Sequence, residues 1–434
     1  MARILVITSG ITSIVNSSVA MALRLQKDGH EVSYGSFANI GLTIRSANLT
    51  FIKLPNLQNL TENPATDIEV LKSEIARLTT IFDHKKYDLS IIDIECHEFI
   101  VSSPNFSEKL VLLSTFLSLW RRPGLIPLHL ATHPDTSNPL TRSTFPLIWF
   151  RYLASKILRS RISKIKKRGK DRLSYLAKLS SYSEFPWKEK KDETQWLKPV
   201  FYKDIAVLNL NDPELDFPHT PNTDALYVGP MINIDRAEKS KSLTRSEQSR
   251  LQSILDRNKI ASNRYLVYCA FGRFKKSYDD SFIHKITDTA RQRPDWDFLI
   301  SLGGHETNSP PEDAPANAHL FQWLPQTTVL LQSDCAVIHS GISTINECIY
   351  AEVPMVLYSL GIRDQQGNAA RVAFHNLGLC GNREKDSSYD IEKFIISSIR
   401  SREISMALTE FNQQARQFKK QNVLESTVNR ILTT

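Results

Sequence analysis

What the chain has little of narrows its class before any motif is read. It holds five cysteines, Cys96, Cys269, Cys335, Cys348 and Cys380. Their number is odd and none shows CxxC or Cys/His ligand spacing. That argues against a disulfide scaffold and a zinc site, and for free thiols in a reducing compartment. No apolar stretch approaches the ~18–20 residues of a spanning helix. The opening MARILVITSG is a short apolar run broken at Gly10, which reads as a buried strand and is too short for a signal-peptide core. No G-x-G-x-x-G follows either opening strand, which disfavours a nicotinamide-dependent enzyme. Short internal repeats and low-complexity tracts are missing as well.

What is present is an ordinary globular composition, 41% hydrophobic and 23% charged over 434 residues, long enough for two or three domains. The net charge of +8 suits an anionic ligand, a membrane surface or nucleic acid, without choosing among them. Arg3 to Thr8 reads as a strand. A helix capped at Asn16 or Ser17 follows through about Lys27, with Val19, Ala22 and Leu23 at core spacing. Gly29 stops it and EVSYGSF is the next strand. This βαβ unit implies a parallel sheet. YDLSIIDIE and LVLLSTF continue the strands, and residues 209–235, rich in Pro, Asp, Asn and Thr, read as a linker. Beyond them RYLVYCAFG, WDFLISLGG, HLFQWL, CAVIHSG and VPMVLYSL repeat the alternation. The expected class is α/β, two Rossmann-like domains with a cleft between them. The expected boundaries are 1–215 for an acceptor-binding domain, 216–235 for the linker, 236–403 for a nucleotide-sugar-binding domain, and 404–434 for a terminal helical stretch.

Charge is concentrated in residues 151–172, with ten Lys or Arg and one acidic residue, Asp171. Phe150, Leu153, Ile157, Leu158, Ile162 and Ile165 fall near one helical face. Two readings stand: a basic amphipathic helix on an anionic membrane, or a surface helix packing its apolar stripe on the protein's own core.

Residues 319–371 carry most of the chemistry. CAVIHSG ends a strand at His339, and a helix begins at about Ser343 or Thr344. Its free N–H groups and positive end suit a diphosphate. Gly341 permits close backbone approach and His339 can donate to a phosphate oxygen. Glu347, one turn in, can accept two ribose hydroxyls, although Thr344-x-x-Glu347 also fits a capping box. Trp323 offers a face to a base, or packs in the core. Asp364 and Gln365 can read sugar hydroxyls.

Together, Trp323-x-Pro325-Gln326, His339-x-Gly341, Glu347, Pro354 and Asp364-Gln365-x-x-Asn368-Ala369 closely resemble the donor-binding signature of family 1 UDP-glycosyltransferases. A weaker likeness covers nearly the whole chain, through DGHEV, NLNDPELDFP, YVGP and VYCAFG. The resemblance implies the GT-B fold, with two parallel sheets facing across the cleft and a last helix packing back on the first domain. It implies that Trp323 stacks on uracil and Gln326 bonds the nucleoside. His339, Ser343 and Thr344 hold the diphosphate, Glu347 grips the ribose, and Asp364 and Gln365 read the sugar. No metal or other cofactor is implied; the UDP-sugar is the co-substrate.

Three departures matter. HSGIST has Ile342 and Ser343 where the plant form has Trp and Asn, which is bacterial in character. Gly272 is followed by Arg273 where relatives carry Ser or Thr; Arg273 adds a cation beside the phosphates or points to solvent. Ile14 occupies the place of the histidine that deprotonates the acceptor. The expected substitute lies in IIDIECHEFI, where His97 with Glu95 or Glu98 could form an imidazole–carboxylate pair and Asp93 is a further base; the same residues also fit a helix start with acidic residues in its first turn.

The expected function is inverting transfer of a hexose, glucose by preference, from a UDP-sugar to a small lipophilic acceptor such as a lipid, long-chain alcohol, carotenoid or polyketide. The alternative is a catalytically impaired, donor-binding homologue. No nucleic-acid partner is expected, and the expected location is cytoplasmic, with peripheral attachment to the inner membrane face through residues 151–172.

Overall fold

The computed structural model describes the whole chain except residues 83–85, 132–143, 221, 234–242, 261–263, 273–279 and 304–312. Contacts divide it into two units: Met1–Pro127, Pro134–Ala237 and Phe418–Thr434 in the first, Leu128–His133 and Glu238–Gln417 in the second.

The first unit is built on a seven-stranded sheet. Its strands are β1 (Arg3–Thr8), β2 (Glu31–Ser36), β3 (Thr50–Lys53), β4 (Tyr87–Asp93), β5 (Ser107–Ser114), β8 (Val207–Asn209) and β9 (Ala225–Tyr227). The hairpin strands β6 (Lys191–Asp192) and β7 (Phe201–Tyr202) form a separate pair. The order β3-β2-β1-β4-β5-β8-β9 is parallel throughout. Strands buried on both faces read as continuous apolar runs, as RILVIT and the end of YDLSIID do. The order reverses between β1 and β4, whose carboxyl ends lie side by side, with Ile7 opposite Ile92. That is the position at which open α/β sheets bind ligands.

Two expectations are corrected in this unit. The first helix spans Thr12–Lys27, a turn earlier than a cap at Asn16 or Ser17, because Ile14 and Val15 are themselves buried in its first turn. The stretch expected as linker contains edge strand β9, and Val228 and Met231 just beyond it join the first unit's core. The chain also returns here at its end. The helix Val423–Thr433 buries Leu424 and Val428 in the same core. Glu425 takes a two-pronged ion pair from Arg24 at 2.8 and 2.6 Å, and Lys109 Nζ donates to the carbonyls of Ile431 and Leu432. A bidentate guanidinium–carboxylate pair fixes orientation as well as contact.

The second unit is built on six strands: β10 (Leu266–Ala270), β11 (Asp297–Ser301), β12 (Ala318–Phe321), β13 (Cys335–Ile338), β14 (Met355–Leu357) and β15 (Gly378–Cys380). They run parallel in the order β12-β11-β10-β13-β14-β15, the doubly wound pattern 3-2-1-4-5-6. Phe282, Trp296, Phe298 and Tyr358 anchor its core. The switch point falls between β10 and β13.

Candidate functional site

Both sequence motifs and topology converge on that second switch point. His339 follows β13, and its ring lies against the turn after β10. Nδ1 donates to the carbonyl of Ala270 at 3.3 Å, a contact only the Nδ1–H tautomer can make. Two glycines make room for the ring. A Cβ at Gly272 would stand 3.0 Å from Nε2, and one at Gly341 2.7 Å from the same atom. Gly272 also has φ +86, a conformation other residues adopt only with strain. Burial pushes His339 down to about 4, with the Arg383 cation adding to the effect, so the ring is neutral at physiological pH. Arg273 lies outside the described residues.

Directly after His339, Ser340 takes a left-handed φ of 66 and turns the chain into the helix Ile342–Ala351. Gly341, which has no side chain, is the N-cap, so the helix start with its positive end is not capped by the side chain of its N-cap residue. The capping-box reading of Thr344 and Glu347 is therefore removed: Thr344 sits inside the first turn. Glu347 is instead bonded by the side chain of Gln326 at 2.5 Å. Gln326 Nε2 also reaches Thr344 Oγ1 at 3.2 Å, and its Oε1 accepts from Tyr268 at 3.0 Å. Three motif residues separated by 21 positions thus form one connected group. Trp323, two residues past β12, is half-buried.

Asp364 and Gln365 open the helix Gln365–Phe374 after β14. Asn368 ties this segment to the histidine turn. Its amide donates to Ser340 O at 3.1 Å and to Asp364 Oδ2 at 2.8 Å. Gln365 is buried and its Oε1 accepts from the amide of Leu360 at 3.1 Å, whereas Asp364 is half-buried. Asn368 was present in the motif without a role of its own. Its value as a tie emerges only when the strained Ser340 turn is seen.

In the first unit the other switch point carries a different pair. Asp93 ends β4, and Ser9 follows β1. Ser9 donates to Asp93 Oδ2 through both its hydroxyl, at 2.7 Å, and its amide, at 3.2 Å. The amide of Glu95 donates to Oδ1 at 3.1 Å. Asp93 is almost wholly buried while Ser9 and Glu95 are half-exposed. Burial, with the Glu95 charge adding to it, pushes the Asp93 carboxyl up to about 6.

The imidazole–carboxylate pair expected for His97 is not formed. His97 is buried in the helix His97–Ser102, with Nε2 at 3.3 Å from the carbonyl of Lys198 and Nδ1 at 3.2 Å from Tyr202 Oη. Glu98 is bonded instead by Arg172, at 2.8 and 2.9 Å, and by Thr61 at 2.5 Å. Burial lowers His97 to about 3, reinforced by the nearby Arg172 cation. A neutral, enclosed ring whose two nitrogens are both engaged is a packing element rather than a proton acceptor for a ligand. Ile14, in the place of the usual histidine, is buried as well.

Two doubly wound parallel domains, one with a glycine-started helix beside a glycine-flanked histidine at its switch point, have the GT-B architecture. Solved structures agree on the fold. The chain is similar over 99% of its length to 99% of the glycosyltransferase of kitacinnamycin, with TM-score 0.70 at 15% identity. It is similar over its full length to 98% of the calicheamicin glycosyltransferase, with TM-score 0.65 at 12% identity. The family of UDP-glucoronosyl and UDP-glucosyl transferases matches over residues 203–414. Among characterised relatives, zeaxanthin glucosyltransferase of Pantoea ananas is 25% identical over 228 residues, 51% of this chain and 46% of the relative. Oleandomycin glycosyltransferase of Streptomyces antibioticus is 30% identical over 76 residues, 18% of this chain and 17% of the relative. The chain thus aligns with less than half the length of these relatives. The family match covers 212 of the chain's 434 residues, just under half of it.

Proposed function

We propose that the protein transfers a hexose, glucose by preference, from a UDP-sugar to a small lipophilic acceptor, with inversion at the anomeric carbon. The observation that carries this is the arrangement at the second switch point. His339, Gly341 and the start of the helix Ile342–Ala351 set an imidazole beside the positive end of a helix, and Nε2 of that ring takes up a proton to donate as a diphosphate binds. The Gln326–Glu347 link places an amide and a carboxylate together for the nucleoside and its ribose. Trp323 stacks on uracil, Ser343 and Thr344 support the diphosphate, and Asp364 reads the sugar. Gln365, whose side chain holds Leu360, shapes that loop and contributes through its amide end. A similar glycosyltransferase solved in complex with DTDP, with TM-score 0.56 at 15% identity, supports a nucleoside diphosphate as ligand of the fold.

In the reaction the acceptor oxygen attacks the anomeric carbon, the bond from that carbon to the diphosphate oxygen breaks, and UDP leaves against His339 and the helix end. The acceptor proton goes to the first unit. Ser9 Oγ keeps lone pairs for the acceptor hydroxyl while its own proton points at Asp93, so the pair relays one proton onto the buried carboxylate. Asp93 is thus the base and Ser9 the group that meets the acceptor; Glu95 holds the carboxylate through its amide. Relatives named for zeaxanthin and oleandomycin support an acceptor of carotenoid or polyketide type, and we place the reaction in the cytoplasm. The test is turnover of labelled UDP-glucose with lipid and polar fractions of cell extracts, products being identified by mass spectrometry. A labelled, lipid-soluble β-glucoside is expected. UDP binding without product from any fraction would favour the impaired, donor-binding alternative.

A further inference from the structure

The basic segment foreseen in the sequence is the helix Phe145–Lys166, and its two sides differ in a way the sequence left open. One side is locked into the first unit. Phe145, Trp149, Leu153 and Lys156 are buried. Trp149 Nε1 donates to Leu125 O at 2.8 Å, and Tyr152 Oη to Trp196 O at 2.6 Å. Lys156 Nζ donates to the carbonyls of Gln195 and Leu197 at 2.8 and 2.6 Å. The helix therefore has its own core contact, and the protein's interior has no further need of apolar residues on it.

The other side nevertheless carries a second apolar row. Leu147 is 51% exposed, Phe150 67%, Leu158 59%, Ile162 40% and Ile165 76%. At about 100° per residue these five project within roughly a third of a turn, on the side away from Trp149, Leu153 and Lys156. Scattered exposed apolar residues are normal; five gathered on one side of a single helix mark a contact surface. Arg159, Lys164 and Lys166 flank this row and Arg151 and Arg161 stand within it; none of them pairs with a carboxylate among the described residues. From Phe145 to Lys170 the sequence contains no Asp or Glu.

We propose that this face docks the protein on an anionic phospholipid bilayer, with Leu147, Phe150, Leu158, Ile162 and Ile165 entering the headgroup–acyl boundary and these cations meeting lipid phosphates. The helix lies along the surface; no helix among the described residues is long and apolar enough to cross a membrane. Charge decides between a bilayer and a second copy of the chain. A two-fold contact pairs a face with itself, and here that would set unpaired cations against the same cations. An anionic bilayer neutralises them and buries the apolar row at once. What the docking serves rests on the lipophilic-acceptor reading: the bilayer is then the phase from which the acceptor is drawn.

The test is binding of the full chain to vesicles of phosphatidylcholine alone and with 30 mol% phosphatidylglycerol (roughly the anionic content at which such segments respond). Wild type should sediment with the anionic vesicles and much less with the neutral ones. Arg161→Gln and Lys164→Gln should each weaken binding roughly fivefold at low salt. Phe150→Ser and Ile165→Ser should each weaken it roughly tenfold, at low and high salt alike. These side chains are exposed, so the variants keep the fold, and UDP titration of the same variants checks the second unit separately. Failure of wild type to bind anionic vesicles overturns the proposal, whatever the UDP result. So does binding that depends on the cations but is unchanged in both serine variants, which is adhesion without insertion. A wild-type dimer in light scattering that Phe150→Ser dissociates would show that the face covers another protein surface instead.

Discussion

Replacing Asp93 by Asn tests the proton path most sharply. The substitution keeps the size of the side chain and an oxygen for Ser9, and removes the ability to take a proton. General-base help to an alcohol is worth roughly 10²–10⁴-fold, so kcat should fall by at least about 10². UDP affinity should stay near wild type, because the donor groups lie in the second unit. The carboxyl stands at about 6, raised first by burial and then by Glu95. The sign follows from its role: the ionised form accepts the proton, so activity is present above that value and is lost as pH falls through it. About nine-tenths of Asp93 is ionised at pH 7 and about one-tenth at pH 5, and turnover should drop roughly tenfold between them. The groups bearing on this titration are Glu95, Tyr34, Cys96 and the Ser9 hydroxyl, with Tyr34 and Cys96 held neutral by burial that pushes both upward. The assay is UDP release in multiple turnover, followed from pH 4.5 to 8 with the acceptor identified from extracts (a range that brackets the carboxyl). Ser9→Ala should lower kcat and leave an acidic limb. His97→Gln should leave the limb where it is, since the imidazole takes no part. Refutation would come from Asp93→Asn holding wild-type turnover, or from an acidic limb that persists in it unchanged.

Two other consequences concern binding and stability. UDP should raise the His339 ring from about 4 by placing a diphosphate against it, so binding at pH 6 to 7 takes up part of a proton. Calorimetry in buffers of different ionisation enthalpy reads this directly, and a binding heat independent of buffer would contradict it. Arg172→Met leaves the Glu98 carboxylate buried without its bidentate partner and should cost about 3–5 kcal/mol in urea unfolding, against less than about 1 kcal/mol if the pair were only a surface contact.

The parts of the account that were legible in sequence are those fixed by local pattern. Short apolar runs located β1, β2, β4 and β5 of the first sheet and β10 to β14 of the second, and the order of the motif residues located His339, Gly341, Thr344 and Glu347 at one strand-to-helix junction. The parts that were not legible depend on neighbours far along the chain. Asp93 meets Ser9 from 84 residues away, because β1 and β4 adjoin at the switch point. The local run IIDIECHEFI favours His97 as a base by residue type alone, yet Tyr202 and Lys198, about a hundred positions later, enclose it. The helix Phe145–Lys166 is a third case. Its apolar residues outnumber one face, and periodicity could not tell which of them the core would take. Leu153 and Ile162 are apolar residues on opposite sides of this helix; the segments carrying Leu125 and Gln195–Leu197, which take Trp149 and Lys156, decide that the Leu153 side goes inward.

The central claim is that the second unit binds the uridine diphosphate of a sugar donor, and calorimetric titration of the full chain with UDP tests it most directly. Wild type should bind with one site per chain. Trp323→Ala should weaken binding by about 1–3 kcal/mol, a factor of roughly 5 to 150, through loss of the stacking face. Glu347→Gln should weaken it by about 1–3 kcal/mol through loss of charge at the ribose. Absence of UDP binding by the folded wild type, or unchanged affinity in both variants, would contradict the assignment of this site.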